Sequence, residues 1–158
     1  FRKNGTVTPA NSSSISAGAA ALVLMKRSEA DKQKIQPIAT LHGHVTHSQE
    51  PAWFTTAPIG AINTLFDKTG WNKAEVDLFE INEAFSSQSI AVIKELGLDE
   101  SKVNIDGGAI AIGHPLGASG ARITGKAASL IQRTNSQRAV ATMCIGGGMG
   151  IAIALESP

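Results

Sequence analysis

Asn104-Ile-Asp-Gly-Gly-Ala-Ile-Ala-Ile-Gly-His-Pro-Leu-Gly-Ala-Ser-Gly-Ala-Arg122 is a glycine-rich loop that runs into a helix. Glycine lets backbone pack closely or take positive φ. Pro115 fixes its own φ and pushes His114 out of the helical region. The histidine is therefore presented from stiff, non-helical backbone, near the free N–H groups that open the next helix. That helix is predicted over residues 118–133. Its ridge of Gly117, Ala121, Gly125 and Ala128 is all small, which lets another element approach closely and predicts burial between sheets.

Downstream, residues 139–144 and 151–155 read as apolar strands joined by Gly146-Gly-Gly-Met-Gly150, a hairpin in outline. Upstream, residues 76–81 (Val-Asp-Leu-Phe-Glu-Ile) read as a strand that runs into Asn82-Glu83-Ala84-Phe85. A helix follows with Phe85, Ser89, Val92 and Leu96 aligned and Gly97 as its stop. Before these, Pro58 opens a helix with Ile59, Ile62 and Phe66 on one face, ended by Gly70. Residues 38–47 alternate as a strand, Ser28 caps a short helix over residues 29–33 that Pro37 closes off, and the apolar run 19–25 reads as a buried strand. This alternation defines an α/β fold, a mixed sheet covered by helices.

The 158 residues suffice for one domain with a real core. With 14 basic and 13 acidic residues the net charge is +1, so no basic field is present to hold nucleic acid. No apolar run approaches the roughly 20 residues of a membrane helix. The single cysteine, Cys144, rules out an internal disulfide and fits a reducing compartment. The chain opens on Phe1-Arg2-Lys3, which is no targeting segment, and is expected to begin inside a larger protein. His42, His44 and His47 bring two ligands at most to one face of an alternating strand, so no metal site is assigned. Residues 120–127 approach the phosphate-cradling loop of nucleotidases, but Ala127 stands where Ser or Thr would hold magnesium.

Three places look unlike plain core. Asn82-Glu83-Ala84-Phe85 lies at a strand's carboxyl end, where open α/β sheets place ligands, although on its own it reads more readily as a helix start with Asn82 as N-cap and Glu83 in the first turn. His114 is held between Gly113 and Pro115. Cys144 sits at a strand end beside a glycine turn whose N–H groups could lower the thiol pKa, although a lone cysteine is also commonly a small buried hydrophobe.

In this order and spacing, Asn82-Glu-Ala-Phe, the segment from Gly107 to Arg122 and Cys144-Ile-Gly-Gly-Gly-Met-Gly150 resemble the three C-terminal signatures of the thiolase family. Gly5-Thr-Val-Thr-Pro-Ala-Asn11-Ser-Ser13 and Gly18-Ala-Ala-Ala are similar to the family segment that returns from the loop domain to the first core half. Thiolases usually show Asn-Asp before that glycine, and Ser16-Ala17 stand here. The resemblance implies a thiolase-like layered α/β fold, with residues 1–33 ending the N-terminal core half and residues 34–158 forming the C-terminal domain.

It further implies an acyl-CoA C-acyltransferase, which condenses acetyl-CoA or cleaves 3-ketoacyl-CoA with no cofactor beyond its coenzyme A thioester substrate. Cys144 matches the acid/base cysteine, His114 the histidine that activates the nucleophile and lines an oxyanion hole, Asn82 the holder of a water in that hole, and the N–H of Gly146 a donor of a second hole. Such donors stabilise the charge developing on a thioester oxygen. Ser13 matches a contact to the pantetheine arm, and Phe85 and Phe54 match pocket positions. The nucleophilic cysteine is absent, so the resemblance implies an N-terminal half of the same protein as partner and no activity from these residues alone. It implies a homodimer or homotetramer in the cytoplasm or mitochondrial matrix. A non-catalytic module that binds CoA or lipid on this fold is the alternative, and the presence of Asn82, His114 and Cys144 together argues against it. Ketoacyl synthases share the fold but typically carry histidine where Cys144 stands.

Overall fold

The computed structural model describes residues 2–158. Strands β1 (Thr40–Ser48), β2 (Leu78–Ile81), β3 (Arg138–Ile145) and β4 (Met149–Glu156) form one sheet in the order β1-β4-β3-β2. β3 and β4 are the expected hairpin, with Cys144 opposite Gly150. β1 joins β4 antiparallel, whereas β2 joins β3 parallel, with Ile81 beside Thr142. The sheet is therefore mixed. All four residues of β2 are buried. Its outer edge is covered where Asn104 N–H donates to Phe79 O.

Helices cover both faces. On one face Ile62 and Leu65 of α2 (Ala57–Thr69) and Val92 of α3 (Ser86–Leu96) pack on Phe79, Ile81, Val140 and Ala154. On the other, Ile123, Ala127, Leu130 and Ile131 of α5 (Ser119–Thr134) meet Leu78, Ala139, Ala141 and Leu155. Side-chain alternation along β3 divides it between the two cores, and alanines on the α5 side let that helix close on the sheet. Each fully buried Leu or Ile contributes roughly 1.5–3 kcal/mol. Gly70 and Gly97 end α2 and α3 in the left-handed conformation, at the expected stops.

Several expectations change. Helix α1 (Arg27–Gln33) begins one residue before Ser28, with Lys26 as its extended N-cap and no side-chain cap bond. Residues 19–25 are not a buried strand. They have no sheet partner and are exposed, Val23 by 90% and Leu24 by 71%, because no strand edge among the described residues reaches them. Among the described residues α5 borders one sheet, and the expected burial between two is not met within them. Ile123, Ala127, Ala128, Leu130 and Ile131 lie in the core on its sheet side, and Gly125 of its small ridge faces residue 22: a Cβ there would lie 3.1 Å from Leu22. A bulge between Leu41 and Gly43 interrupts the alternation of β1. His42 there stacks on Trp71, 5.0 Å between ring centroids.

Glu80 of β2 is 3% exposed and its Oε1 has no hydrogen-bond partner among the described residues. Burial raises its pKa to about 7, against the opposing pull of Lys126 and Arg122. A carboxyl whose folded pKa exceeds its unfolded value favours folding most when protonated. That advantage is complete below the unfolded pKa and is lost as pH rises through about 7. Denaturation of the full-length polypeptide at pH 5 and pH 8 should show Glu80→Gln gaining stability over the parent at pH 8, by at most roughly 3 kcal/mol, with little gain at pH 5.

Candidate active site

Residues 12–15 join the two polar loops read from the sequence. Ser12 bridges Phe85, while Ser13 donates through both its N–H and its hydroxyl to Ala84 O, each at 3.1 Å. Ser14 O accepts from His114 N–H at 2.9 Å. Asn82 N–H donates to Thr142 O at 2.9 Å, which carries the β2–β3 pairing one residue further. Asn82 thus stands at the carboxyl end of β2, beside the end of β3 that bears Cys144. Asn82 is not a helix cap: α3 starts at Ser86, and Phe85 supplies the extended residue before it.

The side chains of Asn82 and His114 are buried, 1% and 9% exposed, and they meet. Asn82 Nδ2 lies 3.3 Å from His114 Nε2. Arg122 donates to Asn82 Oδ1 at 3.3 Å, which leaves the Asn82 amide N–H facing the imidazole. Ser119 Oγ lies 2.6 Å from His114 Nδ1 and donates to Pro115 O at 3.1 Å. Matching donors to acceptors through this chain puts the ring proton on Nδ1 and a lone pair on Nε2. Burial, and then the Arg122 charge, lower the His114 pKa, so the ring is neutral at neutral pH. A neutral imidazole with an oriented Nε2 is equipped to take up a proton.

Glu83 reads from sequence as a first-turn acid, yet it holds the glycine loop. Its Oε1 accepts from Asn104 Nδ2 at 3.1 Å and its Oε2 from Ile110 N–H at 3.0 Å, at the start of the short helix α4 (Ala109–Ile112). A Cβ at Gly108 would come within 2.6 Å of this carboxylate, so the clamp requires glycine there. Asn104 also exchanges hydrogen bonds with both backbone groups of Ile81.

Cys144 is 6% exposed, and burial raises its thiol pKa. The lowered pKa expected from the glycine turn is thereby overturned, because desolvation of a thiolate outweighs the hydrogen bonding available to it. Gly146 opens the turn and is exposed, with open space where a side chain would project. Gly148 has φ +91°, and its carbonyl accepts from Gln49 N–H. Phe85 lines a groove of about 610 Å³ with Arg2, Val7, Trp53, Thr56 and Gln88. Phe54, half-buried, is not part of that lining. Ser119 and Arg122 escaped the sequence reading. A serine in the turn after a Gly-His-Pro was the available signal for the first.

Residues 35–157 match the family described as "Thiolase, C-terminal domain" and residues 1–28 match "Thiolase, N-terminal domain". The mouse cytosolic acetyl-CoA acetyltransferase is 51% identical over 152 residues, 96% of this chain and 38% of that protein. The structure superposes on Bacillus anthracis acetyl-CoA acetyltransferase with TM-score 0.98 at 40% identity, over 100% of this chain and 40% of that one. Human mitochondrial 3-ketoacyl-CoA thiolase in complex with CoA gives TM-score 0.93 at 40% identity, with the same coverages. The chain belongs to the thiolase family, and it spans about two fifths of the length of these relatives.

Ser119→Ala removes the acceptor for Nδ1–H. Nitrogen-15 NMR of the full-length protein should show His114 held as the Nδ1–H tautomer in the parent and as a mixture in the variant. A single unchanged tautomer would remove Ser119 from this role.

Proposed function

We propose that the full-length protein is an acyl-CoA C-acyltransferase, which condenses acetyl-CoA with an acyl-CoA or cleaves a 3-ketoacyl-CoA by thiolysis. One observation carries the reading: a buried Asn82–His114–Ser119 chain in which His114 Nε2 is held as an acceptor facing Asn82 Nδ2–H, at the sheet end that bears Cys144. The names of the relatives support the same substrates.

In condensation, a cysteine thiolate from outside these 158 residues attacks the acyl-CoA carbonyl, its proton having gone to His114 Nε2. The carbon–sulfur bond to CoA breaks and CoA leaves as a thiolate. Burial keeps Cys144 protonated at neutral pH, so it first gives its proton to the departing CoA sulfur. The resulting Cys144 thiolate takes a proton from the methyl carbon of acetyl-CoA. That carbanion attacks the acyl-enzyme carbonyl, forming the new carbon–carbon bond and releasing the nucleophilic thiolate. Asn82 and His114 supply one oxyanion hole and the Gly146 N–H contributes to the other, where preorganised donors matter most. Open space beside Gly146 is compatible with a thioester there. Ser13 meets the pantetheine arm and Phe85 walls the acyl pocket, the position that the family resemblance also gives to Phe54.

Residues 1–33 complete the N-terminal core half and residues 34–158 form the C-terminal domain, and the exposed apolar run 19–25 packs against the rest of that half. The enzyme assembles as a homodimer or homotetramer. It works in the cytoplasm or mitochondrial matrix, compartments carried by the names of the mouse and human relatives. Among the described residues no helix is long and apolar enough to cross a membrane.

The test follows acetoacetyl-CoA thiolysis by loss of its enolate absorbance. Full-length protein should be active, and Cys144→Ala should lose at least about 10³-fold in turnover while still binding CoA. The 158-residue chain alone should be inactive; cleavage by it would refute the role given to Cys144. CoA binding without turnover in the full-length protein would support a binding module instead.

A further inference from the structure

Arg122 lies on α5, away from the reading given to His114 and Cys144, and its contact is specific. Its terminal nitrogen donates to Asn82 Oδ1 at 3.3 Å, while Asn82 itself is 1% exposed. An amide side chain is nearly symmetric in shape, so burial alone does not decide which end faces His114. With Oδ1 turned to the imidazole, Nε2 would have to carry the proton and could no longer accept one. A cation that never loses its charge, set against Oδ1, removes this ambiguity. Arg122 Nε and Glu80 Oε1 are buried without hydrogen-bond partners among the described residues. Among the described residues Arg122 forms no ion pair with an acid, although its charge bears on Glu80, so its hydrogen bond to Asn82 is its specific side-chain contact.

We propose that Arg122 is a positioning residue for the reaction: it fixes the Asn82 amide so that Nδ2–H faces His114 Nε2 and the ring is held as a proton acceptor. The inference rests on the acyltransferase reading for its kinetic consequence, but not for its geometry. A guanidinium at this place also opposes protonation of His114. It is the charged group that bears on the ring. Glu83, on the extension of β2, is engaged by Asn104 and Ile110, and the Cys144 thiol on β3 is neutral.

The experiment uses full-length protein carrying Arg122→Met, Asn82→Ala, both together, and Arg122→Lys. Arg122→Met should lower kcat about 10- to 100-fold with KM changed less than about twofold, the scale of one hydrogen bond to a charged group. In the Asn82→Ala background the same change should alter kcat by less than about twofold, because the residue through which Arg122 acts is gone. Arg122→Lys should recover part of the loss. Nitrogen-15 NMR titration should show the His114 pKa raised and the Nε2–H tautomer populated in Arg122→Met. A full independent loss in the Asn82→Ala background, or an unchanged His114 titration and tautomer, would overturn the proposal. If the parent protein proves to have no acyl-CoA activity, the NMR comparison still decides the role of Arg122. Should Arg122→Met not fold, Arg122→Lys and Arg122→Gln carry the same comparisons.

Discussion

Asn82 N–H donates to Thr142 O, one residue beyond the last paired position of β2. That bond keeps the chain in sheet register just past the end of the strand, where a loop would otherwise diverge. It directs the Asn82 side chain toward His114, and the next residue, Glu83, reaches the glycine loop from the other side. Parallel pairing sends β2 and β3 the same way, so the residues following both strands emerge at one edge of the sheet. Cys144 is at that edge because the hairpin turn begins two residues after it. The two cores pack against opposite faces of the sheet that carries these residues.

Water exclusion sets the electrical character of the site. Asn82, His114 and Cys144 are each buried, and the ionisable pair among them is driven to the neutral form, the imidazole by a lowered pKa and the thiol by a raised one. Neither group is stored as an ion. In the proposed acyl transfer, charge would arise there only during reaction, when fixed donors are already aimed and need no reorganisation. Such a site avoids the large solvation penalty of a resting buried ion.

Local chemistry made much of this legible in the sequence. Gly70 and Gly97 stop helices because a left-handed residue is needed there, and the Gly146–Gly150 run marks a hairpin because two of its residues have positive φ. The loop around His114 was readable for the same reason, since Gly113 and Pro115 constrain backbone whatever surrounds them. Residues 19–25 misled, because an apolar run states that something will cover it but not which chain segment. The Cys144 pKa misled in the opposite sense, since glycine neighbours are visible in a sequence and desolvation is not. Ser119 and Arg122 reach their partners across 5 and 40 residues. A helix turn could have suggested the first pairing, whereas the second depends on how α5 lies across the sheet.

Glu83 and Asn104 tie the end of β2 to the start of α4 through a single carboxylate and a single amide. Asn104 holds this place in a left-handed backbone conformation, φ 46°. The strand that carries Asn82 and the loop that carries His114 therefore share one latch. Neither can open by itself without leaving Glu83 or Asn104 short of a partner in a half-buried setting. The shared latch predicts cooperative breathing of this region: the amides of Ile81 and Ile110 should become exchangeable together, and the two loops should lose their alignment as a unit rather than piecemeal.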